Sequence, residues 1–221
     1  MQNTLEIFDD RKEEINFYFS IMLDIENRSG KIMTVDNSRF LKIMKSNFLL
    51  MLYNLVEACI VSGMMEIYED LKNDNCSYNS VTLEIQKLWS KHQINEIYGA
   101  ATERVAYENR VQKIIESITS NSPIVLSKDV LGISGNLNAR KIKDLCDKHR
   151  IRYRLQTDGE SLERVKLERN NLAHGDVSFS DCARDFSLGD LENIKDEVFL
   201  FLDGILSGMK NYYDGKLYKA V

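Results

Sequence analysis

Proline is almost missing from this chain: Pro123 is the only one in 221 residues. With nothing to interrupt them and little β-branched alternation, long helices are the expected fabric. Cysteine is sparse as well. Cys59, Cys76, Cys146 and Cys182 form no C-x-x-C pair, and His92, His149 and His174 fall at no zinc-ligand spacing. That pattern argues against a disulfide framework and a structural metal, and reads as reduced thiols in a cytoplasmic protein. No metal and no cofactor are expected. The opening residues MQNTLEIFDDRKEEI contain no apolar core of the kind a secretory signal needs. The longest nearly apolar run, Phe48 to Val61, covers 14 residues and carries Asn54 and Glu57. It is too short and too polar for a membrane span. The glycines of Gly132-Ile133-Ser134-Gly135-Asn136 match neither phosphate-loop pattern, so this segment reads as a turn followed by a helix cap.

What is present is an ordinary globular composition, 43% hydrophobic and 29% charged, in a chain long enough for one sizeable core with an elaboration. The net charge of −5 argues against indiscriminate binding to nucleic acid. Its distribution says more. Arg140, Lys141, Lys143, Lys148, Arg150, Arg152 and Arg154 face only Asp144 and Asp147 across one stretch, which is +5 in a chain that is −10 elsewhere. Two readings stand: a solvated helix face, or a phosphate-tracking patch for RNA on which Tyr153 stacks a base.

Apolar spacing predicts a first helix over residues 1–28, ended by Ser29-Gly30, and a long central helix from about Asp36 to Lys72. A third helix, capped by Asn79 or Ser80, runs to about Tyr98. A fourth follows from Ala101 to Thr119, with Arg104 and Val105 in its first turn. Residues 120–157 change character: Ser122-Pro123 breaks the helix, Ile124 to Leu126 is extended, a short helix spans Asn138 to His149, and Ile151 to Leu155 alternates like a strand. This stretch is expected to be a small insertion subdomain, containing short strands, between two parts of a helical bundle (1–119 and 158–213). Thr157 with Glu160 suggests a capping box for the next helix. A loop from Asp176 to Phe186 precedes a last helix opened by Ser187 and Asp190, and 214–221 is expected to be a loose tail.

The chemistry concentrates in Glu168-Arg169-Asn170-Asn171-Leu172-Ala173-His174-Gly175-Asp176. Leu162, Val165, Arg169 and Leu172 share a helical face, so Arg169 takes a slot that the pattern reserves for an apolar side chain. Asn170 and His174 lie four apart on a neighbouring face, and Gly175 should end the helix. A histidine can move a proton near neutral pH while a guanidinium neutralises charge on phosphate oxygens. A snorkelling arginine and a capping histidine would be the bland alternative. Upstream, Glu57 is the only charge within the central apolar run, and Asn47, Asn54 and Glu57 form a polar seam there. A carboxylate placed among apolar residues needs a partner. The sharp reading pairs Glu57 with Arg169; the plain one turns the seam toward the terminal helix or solvent.

Arg-Asn-x-x-Ala-His resembles the R-x4–6-H signature of the HEPN superfamily, in the form of its ribonuclease and toxin branches. The resemblance covers the motif helix and, loosely, the central helix; it implies an all-α helical bundle. It also implies a homodimer whose two motifs face one cleft, and metal-independent RNA cleavage by the ribose 2′-hydroxyl. Carried onto this chain, His174 is the acid/base and Arg169 stabilises the transition state. Asn170 positions the phosphate or fixes His174, and Glu57, supported by Asn54, orients Arg169. Such proteins are toxins of toxin–antitoxin or phage-defence loci, so an antitoxin from a neighbouring gene is the implied partner. One subgroup has a modifiable tyrosine two residues after the histidine, where this chain has Asp176. The alternative is a non-catalytic HEPN subunit that binds nucleotide or RNA, or scaffolds a defence complex.

Overall fold

The computed structural model describes residues 1–27, 37–100, 104–133 and 135–220, apart from the side chains of 95–100 and 104–106. Ser29, Gly30, Asp36, Ala101, Ser134 and the side chains of Tyr98, Arg104 and Val105 therefore lie outside the described residues. Eight α-helices are described: α1 (Gln2–Asn27), α2 (Asn37–Asn73), α3 (Leu83–Ala100), α4 (Arg104–Thr119), α5 (Ala139–His149), α6 (Ser161–His174), α7 (Phe179–Cys182) and α8 (Leu188–Asp214). The expected all-α bundle is what the chain forms.

The centre is α2. Phe48, Leu49, Leu52, Leu55, Cys59, Ile60, Met64 and Ile67 are buried to within 1% of fully, and α1, α6, α7 and α8 pack around them. By length and composition α2 could cross a membrane, yet 56% of its most apolar window is buried inside the protein. That is the behaviour of a core helix. Helix α8 supplies the facing surface through Leu191, Val198, Phe201, Leu202, Ile205 and Met209, all fully buried. It opens at Ser187 and Asp190 as expected, and the two form a capping box, with the Ser187 hydroxyl accepting from Asp190 N–H and Asp190 taking the Ser187 N–H.

Four expectations are corrected. Among the described residues there are no strands, only the isolated bridges Ser77–Pro123 and Val81–Lys219. Residues 151–155 make no strand pairing among the described residues, and Ile151 N–H bonds the Cys146 carbonyl (2.9 Å). They lie against α8, with Leu155 and Tyr153 at Gly204 and Gly208, and their alternation comes from burying Ile151 in the common core while Arg152 and Arg154 stay exposed. The 120–157 stretch is not a satellite with its own core either, because Ile124, Leu126, Leu137, Ile142, Leu145 and Ile151 join the same buried cluster as α2 and α8.

Thr157 is not the cap of α6, which begins at Ser161. Thr157 donates to Glu197 of α8 (2.9 Å), and the Ser161 hydroxyl and N–H bond the same carboxylate. Burial alone would raise the Glu197 pKa, but these donors outweigh it and lower it. A carboxylate 36 residues away thus satisfies the helix start.

The tail is not loose. Tyr218 is fully buried, its hydroxyl shared between Asp70 and Asp74 (2.7 Å each), while Lys216 and Lys219 reach Asp74 at 2.6 and 2.8 Å. Thr82 N–H and Ala220 N–H complete the attachment by bonding the Tyr218 and Ser80 carbonyls.

Candidate functional site

Helix α6 carries the motif along the flank of α2. Leu162, Val165 and Glu168 are its buried residues, and Gly175 closes it with φ +76°, its N–H on the Asn171 and Leu172 carbonyls. His174 therefore sits in the last turn, as the sequence predicted, and it is exposed. The polypeptide beyond it is pinned back to α2. Ser46 donates to the Phe179 carbonyl (2.7 Å) and accepts from Ala183 N–H (3.2 Å), and buried Lys45 donates to the Phe186 carbonyl (2.7 Å). The expected loop from Asp176 to Phe186 contains the single turn of α7.

Arg169 is half-buried, with its guanidinium carbon 4.8 Å from the centre of the Tyr53 ring. A planar cation on an aromatic face gains from the ring quadrupole and keeps its edge donors available. One of those donors, Nη1, bonds Asn170 Oδ1 at 3.1 Å. Asn170 Nδ2 in turn donates to Asn136 Oδ1 at 2.9 Å. The next residue of that loop, Leu137, donates its N–H to the Tyr53 hydroxyl at 3.1 Å. On the loop's other side, a Cβ at Gly135 would sit 3.1 Å from Arg169 Nη2. Asn136 and Leu137 thus fasten the loop to both sides of the arginine, through Asn170 and Tyr53. The sequence reading placed 120–157 outside the motif region; the structure brings it onto Arg169.

Two further expectations are redrawn here. Among the described residues Glu57 makes no ion pair with Arg169 within 4.0 Å. Both instead neighbour Tyr53, whose phenol is pushed above its usual pKa first by burial and then by the Glu57 charge, with Leu137 N–H and Arg169 opposing. Tyr53 is the residue that sequence reasoning missed. It lies on the Glu57 face, four residues earlier on α2. The rest of the polar seam turns toward α1: Asn54 is exposed and its carbonyl accepts from Arg11 (2.8 Å), while Asn47 lies beside Tyr18. Asn170 is committed to Arg169 and Asn136, not to His174. A separation of five residues puts Arg169 and His174 about 140° apart around α6.

Glu168 holds the core slot next to Arg169, only 8% exposed. It accepts from Arg164 Nε (3.3 Å), Asn171 Nδ2 (3.5 Å) and the Cys182 thiol (3.4 Å). The thiol is pushed up to about 11 by burial and by that carboxylate, so Cys182 is an inert donor rather than a nucleophile.

The basic stretch divides. Arg140, Lys141 and Lys148 are exposed on α5, and Lys143 pairs with Asp158 (3.3 Å). Arg150, Arg152, Tyr153 and Arg154 instead line a groove against α8. Among the described residues no group of three or more His, Cys, Asp or Glu is placed to hold a metal ion.

A family model for HEPN_MAE_28990-like HEPN matches residues 1–218. It runs through 120–157 as well as the bundle, so the likeness extends well past the motif helix. Among curated proteins and among solved structures nothing matches.

Proposed function

The chain belongs to the HEPN_MAE_28990-like HEPN family, and from that premise we propose that it is a metal-independent endoribonuclease acting as the toxin of a toxin–antitoxin or phage-defence system. HEPN membership carries a nucleotide- or RNA-related function, often that of a ribonuclease toxin. The single observation that carries the finer reading is the state of the pair itself. Arg169 is stacked and tethered with a guanidinium edge left over, while His174 stands exposed at the helix end.

In the reaction, a ribose 2′-oxygen attacks the adjacent phosphorus and the 5′-oxygen leaves, giving a 2′,3′-cyclic phosphate and a free 5′-hydroxyl. His174 moves the proton at one of these oxygens, and Arg169 stabilises the negative charge on the non-bridging oxygens. In-line transfer gains from a base at the 2′-oxygen and an acid at the 5′-oxygen together, and one His174 supplies one of them. A homodimer with both motifs lining one cleft supplies the pair.

The test is cleavage of single-stranded RNA by purified His174→Ala. The variant should keep its fold, because the side chain is exposed, and lose about 10²–10⁴-fold in rate. Activity of the unaltered protein should persist in EDTA. Full activity in His174→Ala, or loss in EDTA with rescue by magnesium, would overturn this assignment. A second reading, a non-catalytic RNA- or nucleotide-binding subunit, draws on the covering of Arg169 by the Gly135–Leu137 loop and on its angular separation from His174. Absence of cleavage by the unaltered protein, with RNA binding retained, would favour it.

A further inference from the structure

Where residues 150–155 cross α8, the two backbones meet directly. A Cβ at Gly204 would lie 2.4 Å from the Arg154 carbonyl oxygen, and one at Gly208 would lie 2.5 Å from that of Arg152. Two glycines one turn apart let the extended segment sink onto the helix. Beside this crossing a groove of about 920 Å³ opens, lined by Arg150, Arg152, Tyr153 and Arg154 on one wall and by Ser207 and Asn211 on the other. Asp147 is its one acidic lining residue.

Three features of this groove point to a polyanion. Arg150, Arg152 and Arg154 are exposed, and among the described residues none has an ion-pair partner within 4.0 Å. The protein carries a net charge of −5, so three uncompensated guanidiniums in one groove concentrate positive potential against the background. Arg150 caps α5 in the left-handed conformation (φ +59°), while Arg152 and Arg154, at alternate positions on the segment that follows, are spaced by roughly 6.6 Å, a step suited to successive phosphates of an extended strand. The half-buried Tyr153 offers a ring for a base, and Ser207 and Asn211 offer hydrogen-bonding groups for sugar or base edges.

The groove is not the motif site. From Arg154 the chain passes Gly159, packed on Phe201, and Thr157 and Ser161, fixed to Glu197, before α6 begins. His174 is at the other end of that 14-residue helix, about 20 Å away along its axis.

We propose that this α8 groove binds the sugar–phosphate backbone of single-stranded RNA, holding a strand whose cleavage point lies at the far end of α6. The inference builds on the ribonuclease reading. It predicts that affinity rises with strand length until one strand reaches both ends of α6. The experiment measures fluorescence-anisotropy binding of labelled oligouridylates of about 4 to 16 nucleotides. It uses the full chain with His174→Ala, so that the probe survives, and compares this with the same chain carrying Arg150→Glu, Arg152→Glu and Arg154→Glu. A parallel set with glutamine at the three positions, checked by circular dichroism, separates lost charge from a lost fold. The expected result is at least a tenfold weaker binding of the longest oligonucleotide and a flattened length dependence. The logarithmic salt slope should become shallower by about 0.7 for each phosphate contact removed.

Unchanged affinity and salt slope in folded variants would overturn the proposal. So would weak oligouridylate binding alongside tight, arginine-dependent binding of polyglutamate, which would mark the groove as a seat for an acidic protein. Because these arms read binding, they fail independently of cleavage. A protein that binds RNA through the groove but cuts nothing would sink the ribonuclease reading alone.

Discussion

At the scale of single residues, two buried side chains show how little room titrating groups have in this bundle. His149 is fully buried, its Nδ1 2.7 Å from the Leu145 carbonyl and its Nε2 2.7 Å from the Tyr68 hydroxyl. A carbonyl only accepts, so Nδ1 carries the proton and Nε2 accepts from Tyr68. Burial, against the help of the Leu145 bond, pushes the imidazole down to about 4, whereas an unfolded histidine titrates near 6.5. Between those values the unfolded chain takes up a proton that the folded chain refuses. Stability is therefore whole above pH 6.5 and falls as the pH drops toward 4, by about 3 kcal/mol across the window. His149→Phe should cost about 1–3 kcal/mol at pH 7.5 by orphaning the Tyr68 hydroxyl, yet lose less than the unaltered protein between pH 7.5 and 5. Urea denaturation at the two pH values checks this, and equal losses would contradict it. The other residue is Glu168. Spacing pointed to Arg169 as the odd group on the apolar face, but with Leu162 and Val165 at intervals of three the buried slot belongs equally to position 168. Only the donors Arg164, Asn171 and Cys182 decide between them, and Cys182 reaches Glu168 only through the turn of α7.

At the scale of elements, the helices were legible wherever one face was buried continuously, and the opening of α8 at Ser187 and Asp190 and the Gly175 stop were legible because they are local. What could not be read was set by partners distant in sequence. The start of α6 depends on Glu197, the settled tail depends on Asp70 and Asp74, and the strand-like pattern of 151–155 reflects burial on a helix. Of the candidate site, Arg169, Asn170 and His174 were visible in one short motif. Tyr53 and Asn136 were not, because nothing in their own neighbourhoods distinguishes them from a core tyrosine and a turn asparagine. The α8 crossing allows a direct check. Gly204→Ala and Gly208→Ala each force a methyl group against backbone carbonyl oxygen and should destabilise by about 1–3 kcal/mol or more. Gly189→Ala on the same helix has only the Ser187 hydroxyl at 3.7 Å nearby. It should be neutral, or stabilising by up to about 1 kcal/mol. Thermal melts that rank all three alike would show that the crossing is looser than described.

At the scale of the whole molecule, the bundle presents its motif helix at an edge. Leu167 is 50% exposed and lies seven residues before His174, on the same helical face. A large exposed apolar side chain two turns from the histidine suits the two-fold contact of the proposed composite site. Leu167→Glu should shift the protein toward monomer in sedimentation velocity and reduce RNA cleavage in step. Cleavage that survives in a demonstrated monomer would remove the need for a second motif.

The Asn136–Asn170 link also bears on how such a protein can change over generations. Residues 120–157 occupy one continuous block of sequence, the kind of segment that recombination could exchange as a cassette between relatives. Here the block carries the loop that holds Arg169 from one side, while Asn170 and Tyr53, the groups it fastens to, lie outside it. A transplanted block would arrive without its counterparts, and a recipient would lose the seating of its arginine even if both parents were sound. The two asparagines and the tyrosine form one structural unit that the linear order of the chain divides.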